Sequence, residues 1–252
     1  ELRLVSRTRS QETLLAALPT FEARVELLGR LDAGVGGQLA AFEALWGNYY
    51  DFNTAPPAQN TPPLARGAPF YAIAETLGGD PQADRARLET VLGEALEAGV
   101  VSDVTLANSE AERRAIWNIR EDVWQVKHIA PLLTFDVSLP IENMKDYVSE
   151  VNRSVHAYAG DNRSFVFGHM ADGNLHLVIA AGDDEATRAR VEEMVYAPLA
   201  AIGGSVSAEH GIGLEKRAYL PLSRSPAEIA TMRLLKSALD PKGILNPGKV
   251  FA

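Results

Sequence analysis

Hydrophobic and polar positions in the first half of the chain predict strands that alternate with helices. Apolar residues at helical spacing indicate one helix over residues 20–33, with Thr20 as its cap, and another near residues 88–96, which Gly99 ends. Strands are predicted over 2–5, 38–46, 70–77 and 101–106, and a surface loop with five prolines over 54–69. Residues 1–107 therefore have the order strand–helix–strand–strand–helix–strand.

Residues 134–208 repeat that order. The predicted strands are 135–139, the two arms of a hairpin within 165–179, and 205–207; Pro140 opens one helix and Asp183-Asp184 another. Between the repeats, Asn108 is expected to cap a helix that carries Arg120. We predict an α+β fold with a largely antiparallel sheet, helices on one face and two tandem ferredoxin-like units over residues 1–208.

From residue 209 the pattern changes to a helical C-terminal segment, 209–252. Ser225 and Glu228 have the spacing of a capping box, and Pro226 suits the first helical position, so a helix is expected to run to about Leu239. Asn246-Pro-Gly-Lys-Val-Phe is expected to form an extended or turn-like tail.

Composition excludes several classes of protein. The net charge of −9 over 252 residues argues against nucleic acid or an anionic membrane as a general partner. The sequence contains no cysteine, so a metal site has to use histidine and carboxylate ligands. No apolar run reaches membrane-spanning length, and the N-terminus lacks the layout of a signal peptide. Because the chain opens without methionine on Glu1-Leu-Arg-Leu-Val, we expect it to be part of a longer protein.

The hairpin carries the first candidate chemistry. Asp172-Gly173 favours a two-residue turn, and folding about it pairs His169 with His176 on one face. Two imidazoles at cross-strand distance can share one metal ion. The alternative is a hairpin with two partly exposed histidines.

A third ligand is predicted downstream, in Glu209-His-Gly-Ile-Gly213. Glu209 can complete a His-His-Glu set, with His210 as a free imidazole suited to proton transfer. Gly211 and Gly213 allow the bend that would bring His210 to the same pocket. The alternative is an ordinary loop that leads into a helix.

Five ordered motifs resemble the C-terminal region of FAD-linked oxidases of the vanillyl-alcohol oxidase type. Within that type, the D-lactate, glycolate and D-2-hydroxyglutarate dehydrogenases are similar. The motifs are Trp117-Asn-Ile-Arg-Glu121, Asp136-Val-Ser-Leu-Pro140, Gly168-His-Met-Ala-Asp-Gly-Asn-Leu-His176, Glu209-His-Gly-Ile-Gly213 with Lys216, and Asp240-Pro-Lys-Gly-Ile-Leu-Asn-Pro-Gly-Lys249.

The resemblance implies a divalent metal, usually zinc, bound by His169, His176 and Glu209. It implies that His210 is the catalytic base that removes the hydroxyl proton of a 2-hydroxy acid while hydride passes to FAD. A metal-dependent hydrolase, or a docking module inactive on its own, are the alternatives; the family resemblance disfavours the hydrolase.

Four further residues receive roles from the resemblance. Arg120 would hold the substrate carboxylate and Asn174 would lie near substrate and flavin, with an ion pair at the surface as the alternative for Arg120. Asn246 and Lys249 would bind the cofactor from the tail that returns to an N-terminal FAD domain, and that domain would bind most of the cofactor. A homodimer is one candidate assembly, in the cytoplasm or at the inner face of a membrane.

Three positions depart from the family pattern. Ala171 replaces a glycine, Thr134 stands where dicarboxylate-using relatives tend to have lysine, and Trp124 follows Arg120 by one helical turn. The last two weaken the case for 2-hydroxyglutarate and leave a smaller or more apolar 2-hydroxy acid equally open.

Overall fold

The computed structural model describes residues 8–123, 125–129, 131–160, 163–182 and 184–251. It divides into two compact units. Unit 1 contains the described residues up to His128 together with Phe165–Ala171, and unit 2 contains Ile129–Ser164 and the described residues from Asp172 onward. The strand predicted over residues 2–5 and the family-pattern departure Trp124 lie outside the described residues.

Over residues 20–106, unit 1 has the predicted order of helix, strand, strand, helix and strand, with one further helix between the two strands. Its elements are β1 (Ser10–Leu18), α1 (Phe21–Gly34), β2 (Leu39–Trp46), α2 (Gly47–Thr54), β3 (Phe70–Gly78), α3 (Pro81–Glu97), β4 (Asp103–Leu106) and α4 (Glu110–Glu121). The strand β6 (Arg163–His169) pairs with β2, and the strand order is β4-β1-β3-β2-β6. Every registered pair is antiparallel, which confirms the predicted fold class.

The core of unit 1 is built on β1, in which Leu14, Leu15 and Leu18 are fully buried. Helices α1 and α3 pack against each other and against this strand. Helix α2 packs on β6, where the ring of Tyr49 stacks on that of Phe167 with centroids 4.3 Å apart. The Tyr49 hydroxyl donates to the carbonyl of Arg120 at 2.9 Å, so α2 fixes the end of α4.

Unit 2 contains β5 (Leu133–Ser138), α5 (Met144–Ala159), β7 (Asn174–Ala180), α6 (Glu185–Tyr196), α7 (Leu220–Ser223) and α8 (Pro226–Leu239). Strands β5 and β7 are antiparallel, with Asp136 opposite His176. Helices α5 and α6 pack together, and the buried Tyr147 hydroxyl donates to the carbonyl of Val195 at 2.8 Å.

Several local predictions are confirmed. Thr20 caps α1 by accepting the N–H of Ala23, and Asp184 caps α6. The capping box of Ser225 and Glu228 is present, with Pro226 at the start of α8 and Leu239 at its end.

Other local predictions are wrong. Strand β1 is absent from the predicted elements, the helix expected to start at an Asn108 cap is capped by Ser109, and residues 205–207 form only an isolated bridge, Ser138 to Ser205. The turn after His169 is not the two-residue type. Met170–Asp172 form one 3₁₀ turn, and only Gly173 there has a positive φ, +75°.

Helix α8 exposes an apolar surface, because none of its residues is buried. Large apolar side chains of α8 and the following tail are exposed: Leu234, Leu235, Leu239, Ile244 and Leu245. Across the described residues, every helix is too short or too polar to span a bilayer.

Arg24 is fully buried within unit 1. Its guanidinium carbon lies 4.2 Å from the ring centroid of Trp46, 4.7 Å from Phe70 and 4.8 Å from Phe21. No described residue provides a hydrogen-bond acceptor for its nitrogens, and burial lowers the pKa of Arg24 to about 9. The three rings therefore offset only part of the cost of removing this cation from water.

We expect Arg24→Met to leave the free energy of unfolding unchanged or to raise it by about 1 kcal/mol or more, because an apolar side chain of similar length needs no acceptor. Urea denaturation measures the difference. Arg30→Met on the exposed side of α1 is the control and should stay within about 0.5 kcal/mol. A loss of more than about 2 kcal/mol in Arg24→Met would show that the three ring contacts outweigh desolvation.

Candidate active site

A buried carboxylate on β5 organises the site in unit 2. Asp136 lies opposite His176 in the β5–β7 register and is 1% exposed. Its Oδ1 is 4.0 Å from Nδ1 of His176. Successive strand residues alternate between faces, so Asp136 and Thr134 share a face, and Thr134 is exposed.

The Asp136 carboxylate also holds the loop that follows the bridge at Ser205. Its Oδ2 accepts the backbone N–H groups of Ala208 and Glu209 at 3.1 Å and of His210 at 2.9 Å. Three consecutive N–H groups that point at one oxygen force the chain to curl around it. This curl turns the side chains of Glu209 and His210 out of an extended strand geometry.

Lys216 is the cation of the Asp136 hydrogen-bond network. Its Nζ donates to the backbone carbonyl of Asp136 at 3.0 Å and to Oγ of Ser207 at 3.2 Å, and lies 3.5 Å from Oδ2 of Asp136. Burial lowers the pKa of Lys216, although the Asp136 charge opposes that shift. The ammonium therefore serves as a structural counter-charge for the carboxylate.

The pKa of Asp136 is lower than its ordinary value of 3.8. Burial raises it, but the backbone hydrogen bonds from His210 and Glu209 and the charge of Lys216 outweigh burial. Asp136 is consequently ionised throughout the neutral range.

The loop brings two side chains of the predicted site to His176. Oε1 of Glu209 lies 3.3 Å from Nε2 of His176, and the ring of His210 stacks over that of His176 with centroids 5.6 Å apart. Gly211 has a φ of +78°, so the bend expected after His210 is present. Glu209 and His210 are both exposed, which leaves the cluster open to a small molecule.

Asn174 completes this cluster. Its side-chain N–H donates to Oε1 of Glu209 at 2.5 Å, while its buried Oδ1 has no hydrogen-bond partner among the described residues. A buried amide oxygen without a donor is costly, so this atom suits a donor group on a bound molecule.

Unit 2 offers two sets of metal-ligand atoms: Asp136 with His176 and His210, and His176 with Glu209. Ligand atoms of Asp136, His176 and His210 lie within 4.8 Å of one another. Asp136, however, is saturated by the loop N–H groups and Lys216. His176 and Glu209 are the pair with open access, and an imidazole with a carboxylate is a donor set that zinc accepts.

In unit 1, Arg120 and His169 share one partner, Glu43. Nε of Arg120 donates to Oε2 of Glu43 at 2.7 Å, and Nδ1 of His169 lies 2.5 Å from Oε1 of the same carboxylate. The ion pair considered as an alternative for Arg120 therefore exists, but it is largely buried rather than at the surface. The guanidinium also lies 4.5 Å over the ring of Phe167.

The C-terminal tail returns to the site loop of unit 2. The N–H of Val250 donates to the carbonyl of Gly213 at 2.9 Å, and Arg217 donates to the carbonyl of Gly248 at 2.7 Å. Asn246 and Lys249 are exposed and joined by a hydrogen bond of 3.2 Å from the Lys249 N–H.

Sequence reasoning assigned no role to Glu43, Asp136 or Lys216. Asp136 and Lys216 lie within the motifs quoted above, which was the available sequence signal, whereas the register of Asp136 opposite His176 is visible only in the structure. Glu43 is the single charged residue in Leu39–Trp46, a run otherwise apolar, and a lone charge in a buried strand was its only signal.

Comparison with known proteins identifies relatives over nearly the whole chain. Residues 7–250 match the model for FAD linked oxidases, C-terminal domain. The chain is 36% identical to mitochondrial D-2-hydroxyglutarate dehydrogenase of Arabidopsis thaliana over 90% of its length, and 33% identical to D-2-hydroxyglutarate dehydrogenase of Xanthomonas citri pv. viticola over 99%. It spans 40% and 53% of those two relatives.

Solved structures share the fold. p-Cresol methylhydroxylase matches with a TM-score of 0.65 at 12% identity, over 97% of this chain and 53% of that one. 4-Ethylphenol oxidase from Gulosibacter chungangensis matches with a TM-score of 0.60 at 15% identity, over 99% of this chain and 55% of that one.

We expect Asp136→Asn to lower the free energy of unfolding by about 3–5 kcal/mol, because a neutral amide oxygen is a weaker acceptor for the three N–H groups and the substitution leaves Lys216 without its counter-charge. Denaturation by urea at pH 7 measures this. Asp32→Asn, an exposed position on α1, should change stability by less than about 0.5 kcal/mol.

The same pair of proteins gives a pH dependence. A carboxyl with a lowered folded-state pKa stabilises fully above its unfolded value and loses that contribution as pH falls through the folded value. The difference between wild type and Asp136→Asn should thus be constant near neutrality and shrink below about pH 4. A difference that persists unchanged at pH 2 would contradict the role of the ionised carboxylate.

Proposed function

The chain belongs to the FAD linked oxidases, of which it forms the C-terminal domain, and from that membership we propose that it is the substrate-side half of a flavin-dependent dehydrogenase that oxidises D-2-hydroxy acids to 2-oxo acids. The relatives support this choice of reaction, since both curated relatives described above are D-2-hydroxyglutarate dehydrogenases. The observation that carries the proposal is the exposed His210 imidazole held against His176 and Glu209 by the Asp136 network.

His210 is the base in this proposal. Its backbone N–H is fixed to Asp136, whereas its ring stands exposed at the mouth of the cluster, where it can accept a proton from the hydroxyl oxygen of a bound substrate. FAD, when bound, supplies the acceptor for the hydride that leaves the carbon bearing that hydroxyl. Removal of the proton and departure of the hydride convert the alcohol into a carbonyl.

We propose that His169, His176 and Glu209 bind a divalent metal, with zinc as the first candidate. The donor set suits zinc, because His176 and Glu209 lie 3.3 Å apart and an imidazole with a carboxylate is a set that zinc accepts. His169 is proposed as the third ligand because only the short connection Met170–Gly173 separates it from the strand that carries His176. Such an ion would supply a positive charge to the substrate's carboxylate and hydroxyl oxygens.

Arg120 and Asn174 are proposed to recognise the substrate. Nε of Arg120 is occupied by Glu43, so carboxylate recognition would use its Nη groups. The buried Oδ1 of Asn174 is an acceptor suited to a substrate hydroxyl.

Thr134 bears on the size of the substrate. It is exposed on the face of β5 that also carries Asp136, and it offers a hydroxyl rather than a cation. This favours 2-hydroxy acids with one carboxylate, such as D-lactate or glycolate, whereas the names of the relatives favour D-2-hydroxyglutarate. Comparing kcat/KM for the three acids decides between them.

An N-terminal FAD domain is the proposed partner, and it would bind most of the cofactor. The exposed leucines of α8, together with Asn246 and Lys249 in the tail, support contact with such a domain, because monomeric proteins rarely leave a contiguous apolar surface uncovered. We also propose that the intact protein can form a homodimer. Its proposed location is the cytoplasm or the inner face of a membrane.

In the flavin-loaded protein that contains this chain, we expect His210→Ala to lower turnover by about 10²–10⁴-fold, the usual contribution of a general base. Stopped-flow flavin reduction under anaerobic conditions with each hydroxy acid measures the rate. Metal content should stay at the wild-type level, because the ligands are unchanged.

The control is His156→Ala, an exposed histidine on α5, which should reduce flavin at the wild-type rate. Normal flavin reduction in His210→Ala, or loss of metal together with activity, would show that the base is misassigned. Absence of flavin reduction by any 2-hydroxy acid in the wild type would overturn the proposed reaction.

A further inference from the structure

Each of the two hairpin histidines stands directly opposite a buried carboxylate on a neighbouring strand. In unit 1 the register places Glu43 of β2 opposite His169 of β6, and in unit 2 it places Asp136 of β5 opposite His176 of β7. Glu43 is 3% exposed and Asp136 is 1% exposed. The same arrangement therefore occurs once in each unit, and chance burial of a single charge does not explain both.

The two carboxylates differ in what they hold. Asp136 binds three backbone N–H groups and Lys216, so its position is explained by the loop. Glu43 instead pairs with two side chains of the proposed site, with His169 through Oε1 and with Arg120 through Oε2. Burying a charge in an apolar strand is costly unless the charge is paired. Both groups that pair with Glu43 are residues of the proposed site.

The contact to Glu43 determines the protonation pattern of the His169 ring. The carboxylate that also accepts from Arg120 offers an acceptor at Oε1, so this contact favours the ring form in which Nδ1 carries the hydrogen. In the neutral ring, the lone pair is then on Nε2. Metal-ligating histidines are commonly held in this way by an outer carboxylate.

The contact on the other side orients Arg120. Its Nε edge is tied to Oε2 of Glu43 and its plane lies over Phe167, so rotation of the guanidinium is restricted. Its Nη groups therefore have one fixed direction, which lowers the entropy lost when they bind a carboxylate.

We propose that Glu43 is a positioning residue that uses one carboxylate to set both the Nδ1–H tautomer of His169 and the orientation of Arg120. This inference rests on the proposed function for the roles of those two residues. It couples the metal ligand and the anion-binding arginine, so that a change at Glu43 affects both.

The test compares Glu43→Ala and Glu43→Gln with wild type in the flavin-loaded protein. In metal-free samples at pH 8, ring ¹⁵N shifts report the tautomer of His169, assigned with His169→Gln. We expect the Nδ1–H form to predominate in the wild type and to lose its predominance in Glu43→Ala. Zinc dissociation constants from competition with a chelator should rise about 10–100-fold, and KM should rise more than kcat falls.

Glu43→Gln keeps the shape but offers one acceptor to two donors, so at least one of the two readouts, tautomer or KM, must change even if Glu43→Ala folds poorly. Glu75→Ala is the matched control. Glu75 also ties a strand to α4, by accepting from Nε1 of Trp117 at 3.0 Å, and its other partners include Gln11, Thr13 and Arg113. It should change stability and leave the tautomer, zinc affinity and KM unaltered.

Unchanged tautomer and unchanged KM in both Glu43 variants would overturn the inference. Equal changes in Glu75→Ala would also overturn it, because the effect would then be general loss of packing. A wild type that binds no zinc would instead refute the proposed metal site, while the tautomer measurement in metal-free protein would still decide the role of Glu43.

Discussion

The site depends on the acceptance of three consecutive backbone N–H groups by one buried oxygen of Asp136. Water is excluded from this carboxylate, so each hydrogen bond is stronger than at the surface, and breaking one leaves a buried polar group unsatisfied. The loop at residues 208–210 therefore has one low-energy shape. That shape, rather than any property of the side chains themselves, puts Glu209 and His210 beside His176.

Three buried charged residues, Asp136, Glu43 and Arg24, have contrasting surroundings. Asp136 and Glu43 are surrounded by donors that belong to the site, and each stands opposite a histidine. Arg24 is surrounded by aromatic rings and has no hydrogen-bond acceptor among the described residues. The ring contacts therefore offset only part of the free energy lost when the guanidinium leaves water. Asp136 and Glu43, both in strands, therefore pair with residues of the proposed site, whereas Arg24 in helix α1 only packs against rings.

Much of the fold and of the site follows from local sequence. Capping residues such as Ser225, the glycine after His210 and the motif around His176 act over a few residues, so their effects can be predicted from spacing. Strand β1 was missed because it is buried along most of its length, which removes the alternation that marks a strand, and its leucines and alanines equally suit a helix. Glu43 was missed because its role depends on pairing with a strand about 120 residues later, and register between distant strands is set by tertiary packing.

The central proposal is that His169, His176 and Glu209 bind one divalent metal ion. X-ray absorption at the zinc K-edge, on the flavin-loaded protein reconstituted with one equivalent of zinc, tests it most directly. The account predicts a first shell of nitrogen and oxygen at about 2.0–2.2 Å, with the outer-shell scattering of two imidazoles. A shell with fewer than two imidazoles, or no zinc retained after gel filtration, would contradict it.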